Sequence, residues 1–203
     1  MPEAFKRNRA LDPARTAVLV VDAQMSEFGA KKRAEHPDYV AEIERRALPA
    51  MQKLIAHARQ LGTEVIYTRI ECLTRDGRDR SLDHKLSNIF VPKGAPEAQI
   101  IPGLEPAEDD IVLPKTSSGV FNSTNLNYLL RNLGIENVIV VGFLTDQCVD
   151  MAVRCGADLG FYMVCAADGC ATHTPERHQA GLSAFGSYCR VQTVDEVIVT
   201  LQA

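Results

Sequence analysis

Short apolar runs that do not alternate with polar residues, separated by amphipathic helical patterns, most constrain what this chain can fold into. The runs cover residues 16–22, 64–70, 110–113, 137–141, 161–166 and 190–194. A strand with one wet face alternates; runs like these match strands buried on both faces. Between several of them lie helical patterns. Residues 39–61 put Ile43, Ala47, Leu54, Ile55 and Ala58 on one side, residues 123–133 are closed by Gly134, and residues 146–159 by Gly160. Glycine just past the last periodic residue is a helix stop. This alternation predicts an α/β fold of three layers: a mostly parallel, Rossmann-like sheet of about six strands, joined by right-handed crossovers and flanked by helices. A single domain over residues 1–203 accommodates it, with residues 195–203 as a short closing helix. Residues 71–107, rich in charge, Gly and Pro, carry no long periodic element and read as a lid, a binding loop or a plain surface excursion.

Composition narrows the partners. With 46% hydrophobic residues, 203 residues suffice for a substantial core, and the net charge of -4 disfavours nucleic acid or an anionic membrane as the main partner. The basic patches at residues 6–9 and 31–33 are short. No apolar stretch opens the chain as a secretory signal would, and none is long enough to span a bilayer, so a cytoplasmic protein is expected. The six cysteines show neither a CxxC pair nor the spacing of a disulfide scaffold, and are expected to be reduced.

In open α/β sheets, ligands bind beyond the carboxyl ends of the strands. Three residues stand there: Asp22 after the first run, Lys115 after the third and Cys148 after the fourth. Cys148 falls where an apolar run ends in Gly142 and a tight turn enters a helix, so unpaired N–H groups and the helix dipole favour its thiolate. A thiol beside a carboxylate and an ammonium suits nucleophilic catalysis. Taken singly, Asp22 could cap a turn, Lys115 could be a solvated charge and Cys148 a small buried residue. His173, also near a strand end, is the rival base in a papain-like dyad.

LVVDAQ at residues 19–24, LPKTSSGVFNSTNL at 113–126 and VGFLTDQCV at 141–149 occur in an order that resembles the isochorismatase-like cysteine hydrolases. That family includes nicotinamidases and N-carbamoylsarcosine, ureidoacrylate and biuret amidohydrolases. The resemblance implies a catalytic triad of Asp22, Lys115 and Cys148. It also implies a cis peptide at Phe143-Leu144, with the N–H groups of Leu144 and Cys148 as an oxyanion hole. The expected activity is hydrolysis of a linear C–N bond in a small amide, carbamoyl or ureido compound through a cysteine thioester. Vinyl-ether hydrolysis of the isochorismatase type and a non-catalytic binding role are the alternatives. The family commonly forms dimers or tetramers, so a homo-oligomer is expected.

Nicotinamidases bind a metal through an aspartate and histidines after the second strand, but here residues 69–78 hold no histidine cluster. No metal or other cofactor is expected, and His84 reads as a surface or hydrogen-bonded residue. Residues flanking the triad are the candidates for substrate binding: Gln24, Phe28, Arg69, Arg78, Phe121 and Asn122, with Arg75 and Arg80 beside them. Arginine offers bidentate capture of a carboxylate, and the amides suit a ureido or carboxamide group.

Overall fold

The protein, as a computed structural model, is described over residues 6–202; what was expected of residues 1–5 and of Ala203 lies outside them. The apolar runs become strands because each presents side chains to two faces that helices cover. In chain order the elements begin with β1 (Thr16–Val21), α1 (Met25–Phe28), α2 (Ala30–Glu35), α3 (Pro37–Glu42), α4 (Leu48–Gln60), β2 (Glu64–Ile70) and α5 (Leu82–Leu86). They continue with β3 (Ile111–Lys115), α6 (Val120–Ser123), α7 (Leu126–Asn132), β4 (Asn137–Phe143), α8 (Asp150–Asp158), β5 (Tyr162–Ala171), α9 (Pro175–Phe185), β6 (Arg190–Gln192) and α10 (Val194–Thr200).

The six strands form one sheet in the order β3-β2-β1-β4-β5-β6, with every neighbouring pair parallel. Successive strand side chains point to opposite faces. Val18, Val20, Val65, Tyr67, Ile139 and Val141 therefore meet Ile43, Met51, Leu54 and Ala58 on one side. Ala17, Leu19, Val21, Ile66, Val138 and Val140 meet Leu126, Leu130, Val149, Val153 and Phe185 on the other. The strand order reverses direction between β1 and β4, and this opens a crevice at their carboxyl ends.

Three local features depart from the sequence pattern. The long helix over residues 39–61 is helical from Pro37 to Gln60, but residues Ile43–Ala47 form a wider π turn just ahead of Pro49. Pro49 has no N–H for the carbonyl four residues back, and its ring would strike that carbonyl. The pattern over 123–133 breaks into α6 and α7 because Thr124 is extended. Its hydroxyl donates to the Val120 carbonyl and accepts from the Leu126 N–H, in place of the helical ladder. The fifth run continues as β5 to Ala171 through a bulge, with Cys165 beside Val140 and Cys170 beside Gly142. Arg46, from the π turn, donates to the carbonyls of Ala167, Asp168 and Cys170 and so satisfies the bulged backbone.

Residues 71–107 carry only α5 and a 3-10 turn at Pro96–Ala98, yet they are fastened to the sheet end. The Cys72 N–H donates to Val91, Gly94 to the Glu71 carboxylate, and Ser81 to Thr116. No helix among the described residues is long and apolar enough to cross a membrane.

Candidate active site

Asp22, Lys115 and Cys148 converge at the crevice although they are far apart in the chain. Asp22 ends β1 with φ 50°, a left-handed conformation that is uncommon for a residue other than glycine. Thr68 of β2 holds it there: the Asp22 N–H donates to the Thr68 carbonyl at 3.1 Å, and the Thr68 hydroxyl donates to Oδ1 at 2.8 Å. Oδ2 is thereby left facing the Lys115 ammonium at 2.9 Å. Lys115 reaches in from the end of β3, where its Nζ donates to the carbonyls of Ser117 at 2.8 Å and Ser118 at 3.3 Å. It also lies 3.4 Å from the Cys148 Sγ. Lys115 and Asp22 are 0% and 1% exposed, so water screens this pair little.

Cys148 lies in the turn Thr145–Val149 that opens α8. The approach to that turn needs glycine. Gly142 has φ 119°, and a Cβ there would lie 2.0 Å from the Val21 carbonyl oxygen. The Phe143-Leu144 peptide that follows is cis. The Leu144 carbonyl accepts from the Gln147 and Val149 N–H groups, while the Leu144 N–H has no backbone acceptor among the described residues. Asp146 ties the turn to neighbouring elements by accepting from the Thr172 hydroxyl at 2.6 Å and from Arg177 at 2.7 Å.

The electrostatics modify the view of Cys148 as a thiolate favoured by its surroundings. Burial pushes the thiol up to about 12; Lys115 opposes this, while the charge of Asp22 and a hydrogen bond to it add to the rise. The raised pKa favours the protonated thiol, whose sulfur lies against the Lys115 ammonium. For Lys115, burial works toward a lower pKa, but the charges of Asp22 and Cys148 outweigh it and leave the pKa raised, so the ammonium persists.

The structure relocates most of the expected substrate-binding residues. Gln24 is buried with its amide consumed: Nε2 donates to the carbonyls of Ile70 and Glu97, and Oε1 accepts from the Ile70 N–H. It ties the end of β1 to the end of β2 and has no free group for a ligand. Arg78 is 74% exposed and pairs with Asp76 in solvent. Phe121 stacks on Phe161, which precedes β5, and so lies toward the opposite end of the sheet from the crevice. Asn122 is exposed beside it on α6. Phe28 packs against the core with the Arg33 guanidinium over its ring. Arg69 is bound to Glu71 at 2.7 Å, with its Nε buried and unpartnered. Arg80 stacks over Phe90 and donates to the Gly77 and Ile89 carbonyls, while Arg75 is exposed.

His173 stacks on His36 at 4.1 Å and accepts from Arg177 at 3.2 Å. Burial, with the charges of His36, Lys32 and Arg177, pushes it down to about 4. Its Nδ1 is occupied by Arg177. His84 is buried where a surface residue was an expected alternative. It lies beside Ser118, with its pKa lowered by burial and by Lys115.

Sequence reasoning missed Thr68, which holds Asp22. A threonine inside the apolar β2 run, opposite Val21, was the available signal. Among the described residues, no three His, Cys, Asp or Glu converge as metal ligands.

The sequence profile of the Isochorismatase domain matches residues 16–196. Ureidoacrylate amidohydrolase RutB of Acinetobacter baylyi is 27% identical over 198 residues, which cover 89% of this chain and 79% of that protein. A cysteine hydrolase from Pseudomonas syringae pv. phaseolicola superposes with a TM-score of 0.84 at 25% identity, covering 94% of each chain. N-carbamoylsarcosine amidase from Thermoplasma acidophilum shares the fold with a TM-score of 0.73 at 21% identity, over 89% of this chain and 97% of that one. With the profile spanning nearly the whole chain and the same parallel sheet in its structural relatives, the protein belongs to the isochorismatase family.

Proposed function

We propose that the protein hydrolyses a linear C–N bond of a small carbamoyl, ureido or carboxamide compound through a thioester on Cys148. The observation that carries this reading is the buried contact chain in which the Cys148 Sγ lies 3.4 Å from the Lys115 ammonium, itself 2.9 Å from Asp22 Oδ2. The names of the ureidoacrylate and N-carbamoylsarcosine enzymes supply the substrate class.

In this mechanism Asp22 accepts the thiol proton as Sγ bonds to the substrate carbonyl carbon, and the C=O electron pair moves onto oxygen. The N–H groups of Leu144 and Cys148 receive that oxyanion. Asp22 then gives its proton to the leaving nitrogen as the C–N bond breaks, which leaves a thioester. Water, losing a proton to Asp22, attacks the thioester carbon, and the C–S bond breaks as the proton returns to sulfur. Lys115 stays charged and steadies whichever of Asp22 and Cys148 carries the negative charge. Because burial raises the thiol pKa, its proton passes to Asp22 as attack proceeds. On family grounds the reading also takes the enzyme to be homo-oligomeric.

Release of ammonia or amine from a panel of carbamoyl, ureido and carboxamide compounds tests the reading. Turnover of at least one compound is expected, and inertness toward all of them overturns the reading. No step uses a metal, so prolonged chelation is expected to leave the rate unchanged. Loss of activity that is restored by added zinc or iron would refute that part of the mechanism.

A further inference from the structure

The turn that carries Cys148 is gripped by α9. Residues Thr145–Val149 are closed on themselves, since the Leu144 carbonyl accepts from the Gln147 and Val149 N–H groups, so a displacement at one end is carried to the other. Asp146, two residues before the nucleophile, has both carboxylate oxygens engaged by neighbouring elements. Oδ1 accepts from the hydroxyl of Thr172, the residue after β5, at 2.6 Å. Oδ2 accepts from Arg177, in the first turn of α9, through Nε at 2.7 Å and Nη2 at 2.6 Å. Arg177 is fixed in turn, because its Nη1 lies 3.2 Å from His173 Nδ1 and His173 stacks on His36. One residue before Asp146, the buried Thr145 hydroxyl lies 2.8 Å from Nδ1 of His178, also on α9.

The backbone of α9 seats directly against this turn. Gly181 stands inside the helix, where glycine is a poor helix former. A Cβ there would lie 3.1 Å from the Asp146 Cβ, 3.2 Å from its Cα and 3.3 Å from its N, all tighter than ordinary van der Waals contact. The chain thus gives up helix stability on α9 in return for the close approach of the turn. With both oxygens engaged, Asp146 is no second base for the thiol; it governs the position of the backbone two residues on. That backbone carries the Sγ that lies 3.4 Å from Lys115, and an N–H that the mechanism uses for the oxyanion.

Resting on the amidohydrolase reading for the reaction it serves, we propose that Asp146 is a positioning residue. Held by Thr172 and Arg177 and seated against Gly181, it sets where the Cys148 Sγ and N–H stand relative to the substrate carbonyl. Attack is steeply sensitive to such placement: a misplacement of about 1 Å costs on the order of 10²-fold, so a few tenths of an ångström cost about three- to tenfold. The loss falls on kcat rather than KM, because alignment of sulfur and carbonyl is demanded by the transition state and not by the ground-state complex.

The test measures Gly181→Ala, Thr172→Val and Thr172→Ser on a compound that the wild type turns over, with urea denaturation alongside. Gly181→Ala is expected to lower kcat about three- to tenfold and to change KM by less than about twofold. Its denaturation midpoint is expected to equal or exceed that of the wild type, since alanine is the better helix former. Thr172→Val keeps the shape but removes the donor to Oδ1, and should lower kcat to a similar extent. Thr172→Ser restores the donor and should recover most of the rate. Alkylation of Cys148 by iodoacetamide is expected to follow the same order, and it reads the placement of the sulfur without any substrate. Unchanged kcat and alkylation in Gly181→Ala and Thr172→Val overturn the positioning role and leave the amidohydrolase reading intact. So do losses that track a lowered midpoint and are not recovered by Thr172→Ser. Inertness of the wild type toward every carbamoyl, ureido and carboxamide compound overturns the amidohydrolase reading, and the order of alkylation rates then decides the placement of the sulfur by itself.

Discussion

Replacing Cys148 by alanine is expected to abolish C–N hydrolysis, with a loss on the order of 10⁴-fold or more, because no other group stands in position to form the thioester. The fold should survive. Cys148 is one small side chain within a large buried cluster, so loss of its sulfur leaves most of that packing in place. Cys148→Ser is expected to be nearly as inactive, since a hydroxyl is far harder to deprotonate than a thiol and, among the described residues, Asp22 is the only carboxylate paired with Lys115. Steady-state rates beside far-UV circular dichroism check both variants. A folded Cys148→Ala protein with a near-normal rate would exclude the thioester route.

The second large effect separates the two candidate bases. Asp22→Asn keeps the shape of the side chain but removes the proton acceptor, and turnover should fall by about 10²–10⁴-fold. The residual rate should have a diagnostic pH dependence. Burial is the largest cause of the high thiol pKa, which in the wild type lies at about 12, and burial remains when the Asp22 charge is gone. In the variant the thiolate must form before attack. Below its pKa the thiolate fraction grows tenfold per pH unit, so residual activity should climb with pH across the neutral range. The wild type, which delivers the proton to Asp22 during attack, should show no such climb.

Stability should fall as well, by up to about 3–5 kcal/mol, because a buried ammonium loses its carboxylate. The Ser117 and Ser118 carbonyls and the asparagine oxygen offset part of that loss. Urea denaturation measures it. His173→Ala, by contrast, removes a ring stacked on His36 and should cost less than about tenfold in rate. An inactive His173→Ala beside a nearly normal Asp22→Asn would reverse the assignment.

Asp22, Lys115 and Cys148 were legible in the sequence because each follows an apolar run, and a parallel sheet gathers the carboxyl ends of its strands along one edge. Chain position alone therefore predicts their neighbourhood. Where Gln24 and Phe121 point was not legible for a related reason, since proximity in sequence to Asp22 or Lys115 does not say where a side chain turns. Gln24 turns into the backbone of β2 and the excursion, and Phe121 turns toward Phe161. The bulge in β5 was invisible because the guanidinium that satisfies it comes from Arg46, more than a hundred residues earlier.

The sequence by itself determined the layers, the strand count, the parallel sense and the three residues at the strand ends. These follow from apolar periodicity and helix-stop glycines, which act locally and repeat along the chain. Only the tertiary structure decided the burial that raises the pKa of Cys148, the left-handed turn that Thr68 imposes on Asp22, the burial of His84, and the joining of Glu27 to Lys32 and Tyr39. Each of these depends on how deeply a group is removed from water and on which distant partner meets it there. Desolvation is a property of the assembled fold, and the partners that hold Asp22, Thr68 and Lys115, lie 46 and 93 residues away in the chain.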